Sequence, residues 1–348
     1  VIVKLGSPWW RGCNKTVGEA EVMRYVAKHT TIPVPRVLAV LPALHGKPDT
    51  PTNPDAQKVH GGEGLGNLEL PEVMVMATAP GQKMKDVLAR PLSEVGMDVR
   101  EKLLAQWVGV FKQLRDLHFN AYGSFGLGMQ VVPLATNGGC SVLGPVKSYG
   151  EYAAAKVAMF LPLIEGGACR ADRFRKYVPS LRCLIKEIAR YPNGTVGPGS
   201  RLDDNHMAAR TDGLQPVLLH TDLSIRNILV DPHPDNPHIT SVLDWEFAVS
   251  GPFEEEFSFQ ATYAGLSTND RRVFDRVAQA EGVTMPADVM SRADHVAAYW
   301  DMIVFCHSHV WRDRPATVQT DALREAEKSL EGILERAGCS AQGAQLLP

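Results

Sequence analysis

Apolar and polar positions recur with two different periods along this chain, and the change of period divides it. Val1-Ile-Val-Lys-Leu5 is a short β-like run, and Arg36-Val-Leu-Ala-Val-Leu41 and Val73-Met-Val-Met76 read as two further strands. Between the first two, Val22, Met23 and Val26 recur at helical spacing within Gly18–His29, with Glu19 and Glu21 in the first turn. Thr30-Thr-Ile-Pro-Val-Pro35 stops that helix. From about Arg100 the helical period dominates. Leu103, Leu104, Trp107, Val110, Phe111, Leu114 and Leu117 form one apolar stripe, a long core helix that ends before Gly123-Ser-Phe-Gly126. Tyr149 to Leu163, Phe174 to Ala189, 269–280, 292–309 and Arg314 to Ala337 read as further helices. Residues 42–71, 127–146 and 191–213 carry little periodic signal and read as connections.

The β period returns at Val217-Leu-Leu219, which runs into His220-Thr-Asp-Leu-Ser-Ile-Arg-Asn-Ile-Leu-Val-Asp231. A turn rich in Pro, Asn and Asp follows, and then Ile239-Thr-Ser-Val-Leu243, ending at Asp244-Trp245-Glu246. Strand, turn, strand is a hairpin signal, and a hairpin brings Asn227 and Asp244 together at one end. His220, Asp222 and Asn227 have the spacing of a kinase catalytic loop, in which Asp accepts the proton of the attacking hydroxyl. Two oxygen ligands on adjacent strand ends, here Asn227 and Asp244, suit Mg²⁺, which completes its octahedron with phosphates and water. Either residue alone reads as a turn cap. Both together, each at the correct end of an apolar run behind an HxD, form a specific pattern.

These two segments, His-Thr-Asp-Leu-Ser-x-Arg-Asn-Ile-Leu-Val-Asp and Leu-Asp-Trp-Glu-Phe-Ala, resemble the aminoglycoside phosphotransferase family of small-molecule kinases. The resemblance is strong at 217–247, moderate at 1–40 and 73–81, and faint elsewhere. It implies an α+β, protein-kinase-like two-lobe fold. Residues 1–80 would be a truncated, β-rich N-lobe with lysine strand, helix and hinge strand. Residues 81–348 would be a mainly helical C-lobe with the catalytic loop and the acceptor site. The resemblance further implies ATP and Mg²⁺ as cofactors, Asp222 as catalytic base, Asn227 and Asp244 as metal ligands, and Lys4 on the α/β-phosphates. Glu19 aligns with the acid that pairs the lysine, with Glu21 as the neighbouring alternative. The backbone of the hinge, at Met76 and Thr78, would meet the nucleotide base, although Ala77 replaces the acid usual there.

His220 is placed with the catalytic residues as a brace of the loop. Arg226 is read as setting the loop through a neighbouring acid, with no catalytic role. Glu246 reads as an acid behind the ligands or on the acceptor side. Glu254, Glu255 and Glu256 open a helical region, where the resemblance implies acids that support the catalytic loop or face the acceptor; three glutamates at a helix N-terminus are equally what the helix macrodipole favours. The acceptor is a hydroxyl of a small molecule; the family's acceptors include aminoglycosides, choline, homoserine and sugars, and the sequence does not choose among them. A non-catalytic, nucleotide-binding regulatory module is the alternative. It is motivated by Ala77 and by the strands and glycine-rich loop expected upstream of Lys4. The chain opens on Val in mid-strand and is expected to be a fragment of a longer product, binding ATP weakly as it stands.

Composition narrows the field without redirecting it. A hydrophobic content of 45% and a charged content of 22% are ordinary globular values. A net charge of −3 gives no general attraction to nucleic acid or to an anionic membrane. No apolar run reaches transmembrane length and no signal peptide opens the chain, so a cytoplasmic protein is expected. Six scattered cysteines without CxxC spacing suggest neither zinc nor disulfides, and reduced thiols are expected. His307 and His309 make a poor metal site without further ligands, and His118 reads as a core or cap residue. Gly61-Gly-Glu-Gly-Leu-Gly66 lacks the GxGxxG spacing and a following Walker lysine, and reads as a plain loop.

Overall fold

The structure, a computed structural model, describes residues 1–6, 15–42, 71–136, 139–140, 144–165, 171–190, 215–257, 265–283 and 316–340. In chain order these begin with β1 (Ile2–Leu5), α1 (Lys15–His29), β2 (Val37–Leu41), β3 (Val73–Met76), β4 (Gln82–Lys83), α2 (Met84–Leu88) and α3 (Met97–Arg115). Then come β5 (Gly123–Phe125), β6 (Val131–Val132), β7 (Ala135–Thr136), β8 (Gly139–Cys140), α4 (Tyr149–Ala158), α5 (Leu161–Glu165) and α6 (Val178–Arg190). The described chain closes with β9 (Pro216–Leu219), β10 (Ile228–Asp231), β11 (His238–Val242), β12 (Val249–Pro252), α7 (Thr268–Ala280) and α8 (Ala316–Arg336).

The first part is sheet-rich. β1, β3 and β2 form an antiparallel sheet in that order, with Lys4 opposite Met74. Helix α1 packs beside it and reaches across to β5, where only a glycine fits: a Cβ on Gly18 would lie 2.2 Å from the Phe125 carbonyl oxygen. That close approach brings the next residue, Glu19, into a buried position. The N-terminus of α1 is capped by a distant side chain, since Thr16 N donates to Glu72 Oε2 at 2.5 Å. This explains why α1 starts three residues before the Gly18 that its own apolar pattern suggests. A cap supplied from another element leaves no local signal.

The second part is mainly helical. Trp107 and Phe111 on the inner face of α3 pack on Phe274 of α7, with ring centroids 4.6 and 6.0 Å apart. A second apolar cluster, with Phe160, Leu181, Leu184 and Leu330 at its centre, joins α4, α6 and α8. This is the α+β division expected, a small sheet-rich part followed by a larger helical one. The helix expected over Tyr149 to Leu163 is broken into α4 and α5, because Pro162 has no N–H with which to continue the first helix and sits in the opening turn of the second. The helix expected from Phe174 begins instead at Val178, after a 3₁₀ segment, with Pro179 in its first turn.

The expectation of reduced thiols without disulfides is corrected at one place. Cys183 of α6 and Cys339, just beyond α8, form a disulfide with their Cα atoms 5.6 Å apart. The two are 156 residues apart in sequence, and only the packing of α8 on α6 brings them together. Among the described residues no helix is long and apolar enough to cross a membrane. The glycine run 61–66, the connections 43–70 and 191–213, and the helix expected over 292–309 with its two histidines lie outside the described residues.

Candidate active site

The four-stranded sheet β6-β5-β12-β9 frames the site. β9 delivers the chain to His220, the β10–β11 hairpin carries it out and back, and β12 returns antiparallel to β9 with Val249 opposite Leu219. Residues 220–227 and 243–248 are therefore held between two paired ladders. The hairpin register sets Ile228 opposite Val242, and Leu243 N donates to the Asn227 carbonyl at 2.8 Å. Asn227 and Asp244 thus stand at the same end of the hairpin.

Two residues in these turns take left-handed backbone conformations, Thr221 at φ +64° and Asp244 at φ +65°. For a β-branched threonine this is an outlier, worth about 1–3 kcal/mol of strain, and it persists only where surrounding bonds enforce it. Those bonds are visible. The buried carboxylate of Glu256 accepts from His220 N at 2.6 Å and from Thr221 N at 3.0 and 3.1 Å. The Thr221 hydroxyl donates to the Phe247 carbonyl at 2.9 Å. His220 is fully buried, and burial pushes its pKa down to about 4, so the ring is neutral near pH 7. Its Nε2 lies 2.8 Å from the Leu243 carbonyl, which assigns the proton to Nε2 and leaves Nδ1 to accept from Asp222 N at 3.3 Å. His220 and Glu256 therefore fix the turn that presents Asp222.

The Asp222 carboxylate is held between two neighbours. Asn227 Nδ2 donates to Asp222 Oδ2 at 3.0 Å and to its carbonyl at 2.9 Å, while Arg226 Nη2 lies 3.6 Å from Oδ1. Burial raises the Asp222 pKa, with Arg226 and Asn227 opposing the rise. Because the Asn227 amide nitrogen is spent on Asp222, its Oδ1, which accepts no hydrogen bond among the described residues, is left as a hard oxygen donor.

Lys4 ties the sheet-rich part to the hairpin. Its Nζ lies 2.9 Å from Glu19 Oε2, 3.3 Å from Asp244 Oδ1 and 3.2 Å from Glu246 Oε2. Burial alone lowers the Lys4 pKa, but Glu19, Glu246 and Asp244 more than offset it and hold the ammonium charged. Burial also pushes Glu19 up to about 7, against the pull of Lys4. Of the two acids, Glu19 is the one that pairs with Lys4. Glu21 instead pairs with Arg24 at 2.7 Å and accepts from Gly128 N at 3.0 Å.

A second lysine was not anticipated from sequence. Lys15, the first residue of α1, sits 3.8 Å over the Phe247 ring, and burial pushes its pKa down to about 7. Glu255 and Glu256, offered above as supports of the loop or as acceptor-side acids, both turn inward. Glu255 takes Lys156 at 2.5 Å and Tyr152 at 3.2 Å, and Glu256 holds the loop. At the hinge, Met76 ends β3, Ala77 N donates to the Arg36 carbonyl at 2.9 Å, and Thr78 Oγ1 accepts from Val1 N at 2.9 Å. Among the described residues no hydrogen bond links Met76 or Thr78 to the Asp222–Asp244 cluster.

Glu256 gives a pH-dependent signature of this brace. Burial pushes it up to about 7 from an ordinary 4.5, so the folded state holds this proton more tightly than the unfolded chain does. Its contribution to stability is complete below pH 4.5 and is lost as the pH rises through about 7. Urea unfolding should lose on the order of 3 kcal/mol from this group across that window, and Glu256→Gln should flatten the slope.

Several solved structures resemble the chain. A thermostable mutant of aminoglycoside phosphotransferase APH(4)-Ia, apo form, has 14% identity and a TM-score of 0.46, covering 93% of this chain and 84% of that one. A mutant of the same protein, in ternary complex with AMP-PNP and hygromycin B, has 17% identity and a TM-score of 0.44, covering 91% and 82%. The GDP and kanamycin complex of APH(2")-IIia has 13% identity and a TM-score of 0.45, covering 95% and 85%. No curated protein matches the sequence. The family model described as "Phosphotransferase enzyme family" matches residues 14–294, well over half of the 348, and includes the HxD loop, Asn227 and Asp244. The chain belongs to the phosphotransferase enzyme family.

Proposed function

We propose that the protein is an ATP-dependent kinase that moves the γ-phosphate to a hydroxyl of a small molecule. The observation that carries this reading is the single cluster in which Lys4 joins Glu19 to Asp244, one backbone bond from the Asp222–Asn227 pair. Phosphoryl transfer asks a protein chiefly for positioning and for charges that match those of the nucleotide. Those are the properties of this cluster.

The donor set fits a magnesium ion. Asn227 Oδ1 and Asp244 Oδ2 accept no hydrogen bond among the described residues, and they are hard oxygens on adjacent strand ends. No three His, Cys, Asp or Glu side chains converge into an all-protein cage among the described residues. Mg²⁺ does not need one, because it is usually held by one or two carboxylates together with substrate phosphates and water. Bound there, the ion would neutralise charge on the transferring phosphate.

The protein's own groups supply the rest. Lys4, steadied by Glu19, carries a fixed positive charge towards the phosphates and meanwhile balances Asp244 and Glu246. Asp222 orients the acceptor hydroxyl and takes its proton. The hydroxyl oxygen bonds to the γ-phosphorus, the bond to the β–γ bridging oxygen breaks, and ADP leaves with that electron pair. His220 and Glu256 act on the reaction only through the shape of the loop. The lobe boundary near residue 80 would separate Lys4 and the hinge from the loop and its ligands.

The test is a screen of hydroxyl-bearing metabolites and antibiotics for ADP formation. Turnover should require both an acceptor and Mg²⁺, and EDTA should abolish it. ADP formation that persists in EDTA would contradict the reading. A chain that binds nucleotide and phosphorylates nothing would instead be the regulatory module.

A further inference from the structure

Arg226 stands at the carboxylate proposed to take the proton and, among the described residues, makes only loose contacts. Its Nη2 is 3.6 Å from Asp222 Oδ1, beyond hydrogen-bond distance, and its Nε reaches Ser224 Oγ only at 3.4 Å. The side chain is 49% exposed. A guanidinium carries five N–H donors in a planar fork that matches a carboxylate or a phosphate, and among the described residues most of these donors have no partner. Asp222 presents Oδ2 to Asn227 and Oδ1 to Arg226. Arg226 therefore flanks Asp222 on the oxygen turned away from Asn227, one of the proposed metal ligands.

Two of the acids that could draw a polyamine are committed elsewhere: Glu255 to Lys156 and Tyr152, and Glu256 to the backbone of His220 and Thr221. Glu19, Asp244 and Glu246 share Lys4. Among these described groups, the exposed one next to the proton-accepting carboxylate is a cation.

We propose that Arg226 forms an anion subsite beside Asp222, so that the preferred acceptors carry a carboxylate or phosphate group close to the phosphorylated hydroxyl, and polycationic amino sugars are disfavoured. This rests on the kinase reading above. The transfer step is unchanged: the hydroxyl proton goes to Asp222 and the phosphoryl group to the hydroxyl oxygen. Arg226 pairs with the acceptor's acidic group and so sets which hydroxyl is presented. Any hydroxyl close enough to donate to Asp222 brings its neighbouring substituents within reach of a side chain that long.

Two matched sets of acceptors test the idea, each holding the hydroxyl scaffold constant while the charge changes. They are glucuronate, glucose and 6-amino-6-deoxyglucose, and glycerate, glycerol and 3-amino-1,2-propanediol, which differ within each set only at one terminal carbon, assayed by ADP formation with Mg·ATP. The wild-type protein should give kcat/KM in the order acid, neutral, amine. Arg226→Gln should lower the acid-to-neutral ratio by about 10- to 100-fold, the loss expected for one charge-assisted hydrogen bond. Arg226→Glu should move the preference towards the amine. Calorimetric binding of glucuronate with Mg·ADP present should weaken in parallel, which gives a readout independent of turnover. Wild-type preference for the amines, or an acid-to-neutral ratio unchanged in Arg226→Gln, would overturn the proposal and leave the kinase reading standing. No ADP formation with any acceptor, with or without added antibiotics, would overturn both.

Discussion

Asp222→Asn should lower the rate of phosphoryl transfer by about 10²–10⁴-fold, the range that a positioned general base contributes. The substitution keeps the shape of the side chain and removes the capacity to take a proton. The scaffold around residue 222 does not depend on its charge, because the turn is held by Glu256 on the His220 and Thr221 N–H groups and by His220 on the Leu243 carbonyl. Nucleotide affinity should therefore change little while kcat collapses. That split separates loss of chemistry from loss of fold, and a calorimetric titration with Mg·AMP-PNP beside the rate measurement reads it directly. A variant within a few-fold of the wild-type kcat would mean that Asp222 is not the group that handles the proton.

Asp244→Asn should be nearly as damaging by a different route. Asn and Asp both tolerate the left-handed conformation that residue 244 adopts at φ +65°, so the turn should survive the change. What is lost is the negative charge of a proposed metal ligand and one of the three carboxylates around Lys4. A metal-held transition-state charge is worth several kcal/mol, so the rate should fall by on the order of 10²-fold or more. Unlike Asp222→Asn, this variant should also need a higher Mg²⁺ concentration for half-maximal activity. A Mg²⁺ dependence identical to that of the wild type would remove Asp244 from the metal site.

The contrast between these two residues and the ones that support them shows what a sequence makes legible. Asp222, Asn227 and Asp244 lie within one strand–turn–strand unit, so their spacing and the flanking apolar runs fix their relation without any tertiary information. Lys4 and Glu19 were visible only through a family pattern, and the choice between Glu19 and Glu21 needed α1 to be seated on β5 at Gly18. Glu256 was one of three neighbouring glutamates with two readings, and packing against the loop decided between them. Lys15, Glu72 and the Cys183–Cys339 bond gave no usable signal, since each acquires its role from a partner far away in the chain. The start of α1 failed in the same way, through a cap from Glu72, whereas the break between α4 and α5 had a local mark in Pro162 that the helical period masked. Local chemistry was readable, and chemistry assembled across the fold was not.

The most direct measurement is a crystal structure of the protein with Mg·AMP-PNP. The account predicts a metal ion about 2.1 Å from Asn227 Oδ1 and from an Asp244 carboxylate oxygen, bridged to the phosphates. Lys4 Nζ should contact those phosphates, and Asp222 should be open towards the γ-phosphate from the acceptor side. Nucleotide bound elsewhere, or a metal ion held by other side chains while Asn227 and Asp244 keep their present partners, would contradict it.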